Sequence, residues 1–489
     1  RHGWQGGKAY EIKIDVEEAA TKKTLALRRT STAPAEQGYW DPSWKNYLSL
    51  MVAEENGFER KKFPVHATFG ILSGYWKTAD EIRVVKAEKK DGGIAYTEIP
   101  CQVYDVRKWE DQKLLSAVEK DEKTNAVITR YHATTSFSVA FLADLQAHEK
   151  ATYLVFYNNP GAAKPGYPTD LKVSGTGIGK TVENRFYKAV LHSKSGVLYE
   201  LTDKPSGIKI EHKLETNGSI HWNPCVYSPP HAWYHTSDWE DPPFTEISGP
   251  LFYSIRIAAP LPFYKDVVSS VTYYFYAGSP FILAETTIHI LDDLFVQALR
   301  NGEVVFNKEV FDRAAYKTID GKVNVIDLTR TRMHPEHAIS LRPDTPWVTF
   351  YSEGKNFAFA NMYLEVAMTN LGGGEASAQQ PFLYIQNGPW YYLARGLVYS
   401  FGTNNQTRML PVKKGSVYYE KVGWLPLSYP KNRCFSADVD LCFNAFKYPL
   451  SILESIETYP ESPDGWVVPI LTEPFDEGVE EAIGAKAEK

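Results

Sequence analysis

The chemically richest stretch of the chain is HWNPCVYSPPHAWYHTSDW, residues 221–239, which brings three histidines, three tryptophans, two tyrosines, Asn223 and Asp238 into one short span. Imidazole gains and loses its proton near neutral pH, and indole and phenol rings offer flat apolar faces with a polar edge. Together these suit a site that handles sugars, where rings stack on the apolar faces of pyranoses and an imidazole moves protons at the bond that changes. The candidates for chemistry here are His221, Asn223, Tyr234 and His235, and the candidates for holding substrate are His231, Trp233 and Trp239. Pro229-Pro230 can neither propagate a helix nor sit in a central strand, so the stretch reads as a structured loop. Any one of these histidines could instead be a structural hydrogen-bonding group, and three close together are costly to bury without partners.

Two later segments carry residues that could face the same substrate. TRTRMHPEHAISLR, residues 329–342, holds Arg330, Arg332, His334, His337 and Arg342. The planar fork of arginine matches a carboxylate, so this run suits an acidic sugar; a charged connection between strands is the alternative. In NGPWYYLARGLVYSFGTNNQTR, residues 387–408, strand alternation puts Trp390 and Tyr392 on one face and Tyr391 on the other, with Arg395 near the far end. Rings on one face form a sugar platform or else pack between sheets. Carboxylates for hydrolysis also stand in reach of such a site: Glu240 and Asp241 follow the loop, and Glu353 and Glu420 fall on or beside strands. His231 and His235 are four apart and would share a calcium or zinc ion in one helical turn, a geometry the proline pair opposes, so the metal ligands stay unknown and no cofactor is required. No G-x-S-x-G is present for an esterase.

These residues must be positioned by a β-rich scaffold. At 489 residues the chain exceeds one ordinary core, and its 31 Tyr, 24 Phe and 12 Trp fit pleated surfaces with rings left over for binding. Its 53 basic and 59 acidic residues leave a net charge of only -6 with no basic stripe, which argues against nucleic acid as a partner. No apolar run is long enough to span a membrane. From Phe63 onward alternating runs dominate, and the expected organisation is an N-terminal β-sandwich over 1–160, a Gly/Pro/Lys-rich linker over 161–182, a large sandwich over 183–460 and an acidic tail over 461–489. Within the linker, GTGIGKT lacks the first glycine of a phosphate loop, where Ser174 stands, and strands rather than a helix follow it. YLSLMVAEENGF reads as a short helix and FSADVDLCF as a strand, and Cys434 and Cys442, which flank FSADVDL, would be either a hairpin disulfide or two buried thiols. The chain opens at Arg1 without an apolar leader, compatible with a mature protein that is secreted, periplasmic or at the cell surface.

The order of parts resembles that of polysaccharide lyases and related sugar enzymes built on a galactose-mutarotase-like super-β-sandwich. The resemblance is carried by FPVHATFGIL, EIPCQVYDV and FSVAFLADLQAHEKATYLVFYNN in front, then VENRFYKAVLHSKSGVLYELTD, GPLFYSIRIAAPL and VTYYFYAGSPFILAETTIHI. It implies an all-β fold, a small N-terminal sandwich followed by a large antiparallel one, and cleavage of a uronic-acid-containing glycan by β-elimination, with an acidic polysaccharide or oligosaccharide as partner. Under that resemblance Tyr234 or His235 handles the proton, with His334 also near the chemistry. His221, Asn223 and Arg332 hold the acidic group, and Trp233, Trp239, Trp390 and Tyr392 stack on sugar. A glycoside hydrolase with a carboxylate pair and a non-catalytic sugar-binding protein are the alternatives.

Overall fold

The computed structural model describes residues 13–18, 21–26, 40–90, 93–109, 115–120, 127–131, 134–211, 224–307, 309–329, 339–369, 371, 380–385, 390–400, 408–431 and 434–454. Among these the chain is antiparallel β-structure with one α-helix, as the all-β expectation requires. It forms two compact units, residues 1–167 with 449–489, and residues 168–448. The division falls inside the Gly/Pro-rich stretch read as a linker, but Lys172–Ser174 and Thr181–Glu183 in that stretch are already strands of the second unit. Ser451–Glu454 returns to the first unit by pairing with Asn46–Ala53.

In the first unit a three-stranded sheet of Arg60–Leu72, Thr134–Leu145 and Cys101–Lys108 packs on a five-stranded sheet. The five-stranded sheet explains a misreading. YLSLMVA, part of the segment read as a helix, lies in the strand Asn46–Ala53, all eight residues of which are buried. Leu48, Leu50 and Val52 enter the main core while Tyr47 joins Trp44, Val85 and Phe156 on the other face. A strand covered on both faces loses its polar alternation, so period alone cannot tell it from a helix.

The second unit is the larger sandwich. A nine-stranded sheet, running from Phe244–Ser248 at one edge to Val323–Asp327 at the other, forms one layer. Its core is shared with a five-stranded meander over Lys172–Glu211 and with a six-stranded sheet. The strands of that six-stranded sheet are, in chain order, β1 (Cys225–Tyr227), β2 (Tyr234–His235), β3 (Ala298–Asn307), β4 (Ile339–Ser340), β5 (Pro381–Ile385) and β6 (Trp390–Tyr399), and they lie in the order β2-β1-β3-β6-β5-β4. Val226, Leu299, Val304, Leu383 and Leu393 point into the sandwich, so the residues alternating with them point away from it.

One irregularity in β3 sets what the outward face carries. Asn301 pairs with Arg395 and Val304 with Leu393, so three steps on β3 match two on β6. The extra residue is a bulge, built at Gly302 with φ +62°, a conformation that suits glycine. Beneath it, Asn301 Nδ2 donates to Thr286 Oγ1 and to Glu420 Oε2, each at 3.1 Å. Arg395 Nε donates to Glu420 Oε1 at 2.7 Å, and both side chains of that pair are 1% exposed. Burial raises the Glu420 carboxyl above its ordinary value, opposed by Arg395 and Asn301.

The helix α1 (Phe435–Lys447) replaces the expected terminal strand. Phe435, Val439 and Phe443 recur every four residues and are its buried positions, so the period is helical. This also removes the hairpin disulfide. Cys434 caps the helix and Cys442 lies eight residues on, about 12 Å along the axis, beyond bonding reach. All four cysteines are free. No helix among the described residues is long and apolar enough to cross a membrane.

The inter-sheet ion pair gives a direct stability test. Arg395→Met strands the Glu420 carboxylate inside the sandwich and is expected to cost about 3–5 kcal/mol in urea unfolding, whereas Arg395→Met with Glu420→Met restores most of that loss. A double variant no more stable than the single one would show that Arg395 acts through other contacts.

Candidate functional site

The described part of the loop stretch forms a hairpin at the edge of the six-stranded sheet. β1 pairs with β2 so that Cys225 faces His235 and Val226 faces Tyr234, and on its other side β1 pairs with β3 so that Cys225 faces Arg300. Cys225, His235 and Arg300 therefore stand side by side across three strands. The bulge after Asn301 turns Glu303 to the same side, and Arg300 Nη2 lies 2.8 Å from Glu303 Oε2. In a regular strand, residues three apart would leave on opposite faces.

These groups form one compact polar cluster. One donor atom each from Cys225, His235 and Glu303 lies within 4.8 Å of the other two. Arg300 Nε donates to Cys225 Sγ at 3.2 Å, and the guanidinium, 6% exposed like Glu303, is covered by Trp233 with 4.1 Å from Cζ to the ring centroid. A desolvated cation over an indole contributes about 2 kcal/mol. Tyr227 stacks on Trp233 at 4.7 Å and 9°, and Tyr392 lies 5.9 Å from the Arg300 guanidinium and stacks on Tyr384.

His235 is held from two sides. Its backbone N–H donates to Asp238 Oδ2 at 2.8 Å, and the same oxygen lies 3.5 Å from Nδ1. Burial pushes the imidazole pKa down, but the Cys225 sulfur and the Asp238 and Glu303 carboxylates outweigh it and carry the value from 6.5 up to about 10. These partners favour the protonated imidazole, which with Arg300 faces the Cys225 sulfur and the Glu303 and Asp238 carboxylates. A thiol, an imidazole and a carboxylate are a donor set that fits a metal such as zinc. Arg300, however, already brings a fixed positive charge against two of the three donors.

The expected residues divide clearly. Trp233, His235 and Tyr392 come together on the outward face. Tyr234 leaves on the other side of the hairpin, where it stacks on Phe263, and the His231 ring also meets Phe263, so His231 and His235 do not share a ligand position. Trp239 is a core residue, 5% exposed, whose indole N–H donates to the Pro260 carbonyl at 2.7 Å; it cannot stack on a ligand. Arg395 lies inside the sandwich on Glu420, away from the outward face. His221, Asn223, Arg332, His334 and the side chain of Trp390 lie outside the described residues. Arg300, Glu303 and Cys225 were missed as a site. Their signal was ALRNGEVVFN, in which Arg300 and Glu303 stand on either side of a glycine within a strand, and such a glycine is a mark of a bulge.

Among solved structures, the alpha-mannosidase from Enterococcus faecalis V583 is similar to this chain with a TM-score of 0.51 at 11% identity, over 84% of this chain and 46% of that one. A glycosyl hydrolase family 38 protein from Enterococcus faecalis gives 0.49 at 10% identity, over 85% and 48%, and a galactose mutarotase-like protein from Lactobacillus casei ATCC 334 gives 0.35 at 9% identity, over 50% and 99%. The chain spans about half the length of the first two proteins. At such identities the likeness concerns the fold. No family model and no curated protein matches the chain.

The raised His235 pKa fixes a pH dependence. A histidine whose folded pKa exceeds its unfolded value of about 6.5 stabilises the fold fully below that pH and loses this contribution as pH rises. Wild type is therefore expected to lose stability relative to His235→Gln as pH climbs from neutral through about 10, read from urea unfolding at each pH. Parallel curves for the two proteins would mean that His235 titrates normally.

Proposed function

We propose that this chain is the β-sandwich region of a carbohydrate-active enzyme that cleaves a glycosidic bond at the outward face of the six-stranded sheet. The observation that carries this reading is the convergence, on one face, of Trp233 and Tyr392 with the Arg300, Glu303 and His235 cluster. Rings bind the apolar face of a sugar, and charged groups beside them act on its oxygens. The name of the Enterococcus faecalis neighbour, an alpha-mannosidase, supports a glycoside as substrate.

Hydrolysis is the reaction this arrangement supports best. A protonated imidazole is in position to give its proton to a leaving glycosidic oxygen, and the Glu303 carboxylate stands beside it to stabilise or attack the sugar carbon. Cleavage by β-elimination is the second reading, favoured by Arg300. A permanent cation over Trp233 would hold the carboxylate of a uronic acid and make its neighbouring C–H bond more acidic. Elimination also needs a base, and His235 held as a cation supplies none until it loses its proton.

Incubation with a panel of neutral and uronic-acid glycans separates the readings. Hydrolysis releases reducing ends without ultraviolet absorbance, and elimination releases them with the absorbance of an unsaturated ring. Glu303→Gln and His235→Ala are each expected to lower kcat about 10²–10⁴-fold. Silence across the panel, or Glu303→Gln with activity within a few-fold of wild type, would count against catalysis at this face.

A further inference from the structure

Tyr234 and His235 are neighbours on β2 and leave it on opposite sides. His235 belongs to the polar cluster, whereas Tyr234 enters a second aromatic group that the proposed chemistry does not use. The rings of Tyr234 and Phe263 are nearly parallel, 9° apart with centroids at 5.3 Å. Tyr264 meets Phe263 edge-on at 5.1 Å and 86°, and the His231 ring lies 4.3 Å from it.

Phe263 is the unusual member. Its backbone sits at φ +67°, a region bulky residues seldom occupy, and its side chain is 54% exposed. Both features cost stability, since the backbone is strained and a large ring remains in water. Short backbone hydrogen bonds from Tyr264 to Pro262 and from Leu261 to Val267, each 2.8 Å, hold the loop that presents it. Phe295, a second exposed ring at 60%, belongs to a neighbouring segment whose carbonyl accepts from Ser228 Oγ at 2.8 Å. Exposed His231, Lys265 and Asp266 flank these rings with hydrogen-bonding groups.

The geometry points to a second sugar-contact platform, centred on Phe263, that receives further pyranose units of the glycan held at the outward face. It rests on the proposed function in taking a glycan as the ligand. A pyranose asks for a flat apolar contact with donors and acceptors around its rim, and this group offers both. The platform also continues the candidate site, because Trp233 on one side of the hairpin and Tyr234 on the other are consecutive residues at the sheet edge. A chain of sugars lying over Trp233 would reach Phe263 by passing around that edge.

The test uses Phe263→Asn, which removes the ring and suits the left-handed backbone, and Phe263→Trp, which keeps a ring. Calorimetric titration is done with each polysaccharide of the panel above and with the corresponding disaccharide. Phe263→Asn is expected to weaken polysaccharide binding about five- to tenfold, the scale of one stacked ring, with disaccharide binding unchanged and Phe263→Trp close to wild type. Unchanged polysaccharide affinity in Phe263→Asn overturns the platform, and so does an equal loss on both ligands. A dimer of the wild type that dissociates in Phe263→Asn without change in glycan affinity would assign the ring to a second copy instead. Phe263-dependent binding without any cleavage would sink the catalytic reading and keep the platform; cleavage indifferent to Phe263 would do the reverse. If the wild type binds no glycan of the panel, neither stands.

Discussion

The bulge in β3 is the constraint from which the candidate site follows. Arg300 and Glu303 are three apart, so a regular strand would bury one of them between the layers and expose the other. Inserting one residue at Gly302 puts both on the outward face, within 2.8 Å of each other. An isolated bulge would be free to slide along the ladder. Asn301 prevents this from the inside, because its amide is held by Thr286 and Glu420 of the opposite layer, and Glu420 is held in turn by Arg395 from β6. What these buried contacts specify is the register of one strand.

The outward cluster shows the same economy of charge. Two cations, Arg300 and His235, stand against two carboxylates, Glu303 and Asp238, with the Cys225 sulfur between them. Arg300 and Glu303 are each 6% exposed, and the Cys225 sulfur with the Asp238 and Glu303 carboxylates holds the imidazole toward its protonated form against the pull of burial. Trp233 and Tyr392 lie against the guanidinium, and these rings keep water from the charges.

How much of this was legible in the sequence depends on whether a local pattern or a distant partner decided it. The all-β fold and the two-sandwich order were readable from alternation; aromatic and imidazole density singled out the stretch around residues 224–239, but as a loop rather than as the edge hairpin it forms. FSADVDLCF failed because a short amphipathic run fits either period, and its four-residue spacing of Phe435, Val439 and Phe443 was the better guide. Trp239 and Arg395 have the composition of site residues, yet their partners, the Pro260 carbonyl and Glu420, lie 21 and 25 positions away in the chain and pull them into the core. Arg300 and Glu303 drew no notice for the converse reason. The glycine between them hints locally at a bulge, but only the register with β6 shows that the bulge turns both charged residues to the outward face.

The edge hairpin then explains why so much chemistry gathers on so few residues. β2 is only two residues long, closed on one side by the proline pair and on the other by a short turn that begins at Thr236. A strand that short cannot carry a wide face, so it sorts side chains by parity alone: Trp233 and His235 go to the polar cluster, Tyr234 to the Phe263 group. Inserting or deleting one residue here would exchange the two sets and dismantle both surfaces at once. The six-stranded sheet beneath, its register pinned through Asn301 and Glu420, is therefore what lets a two-residue strand send an imidazole and a phenol ring to opposite faces one residue apart.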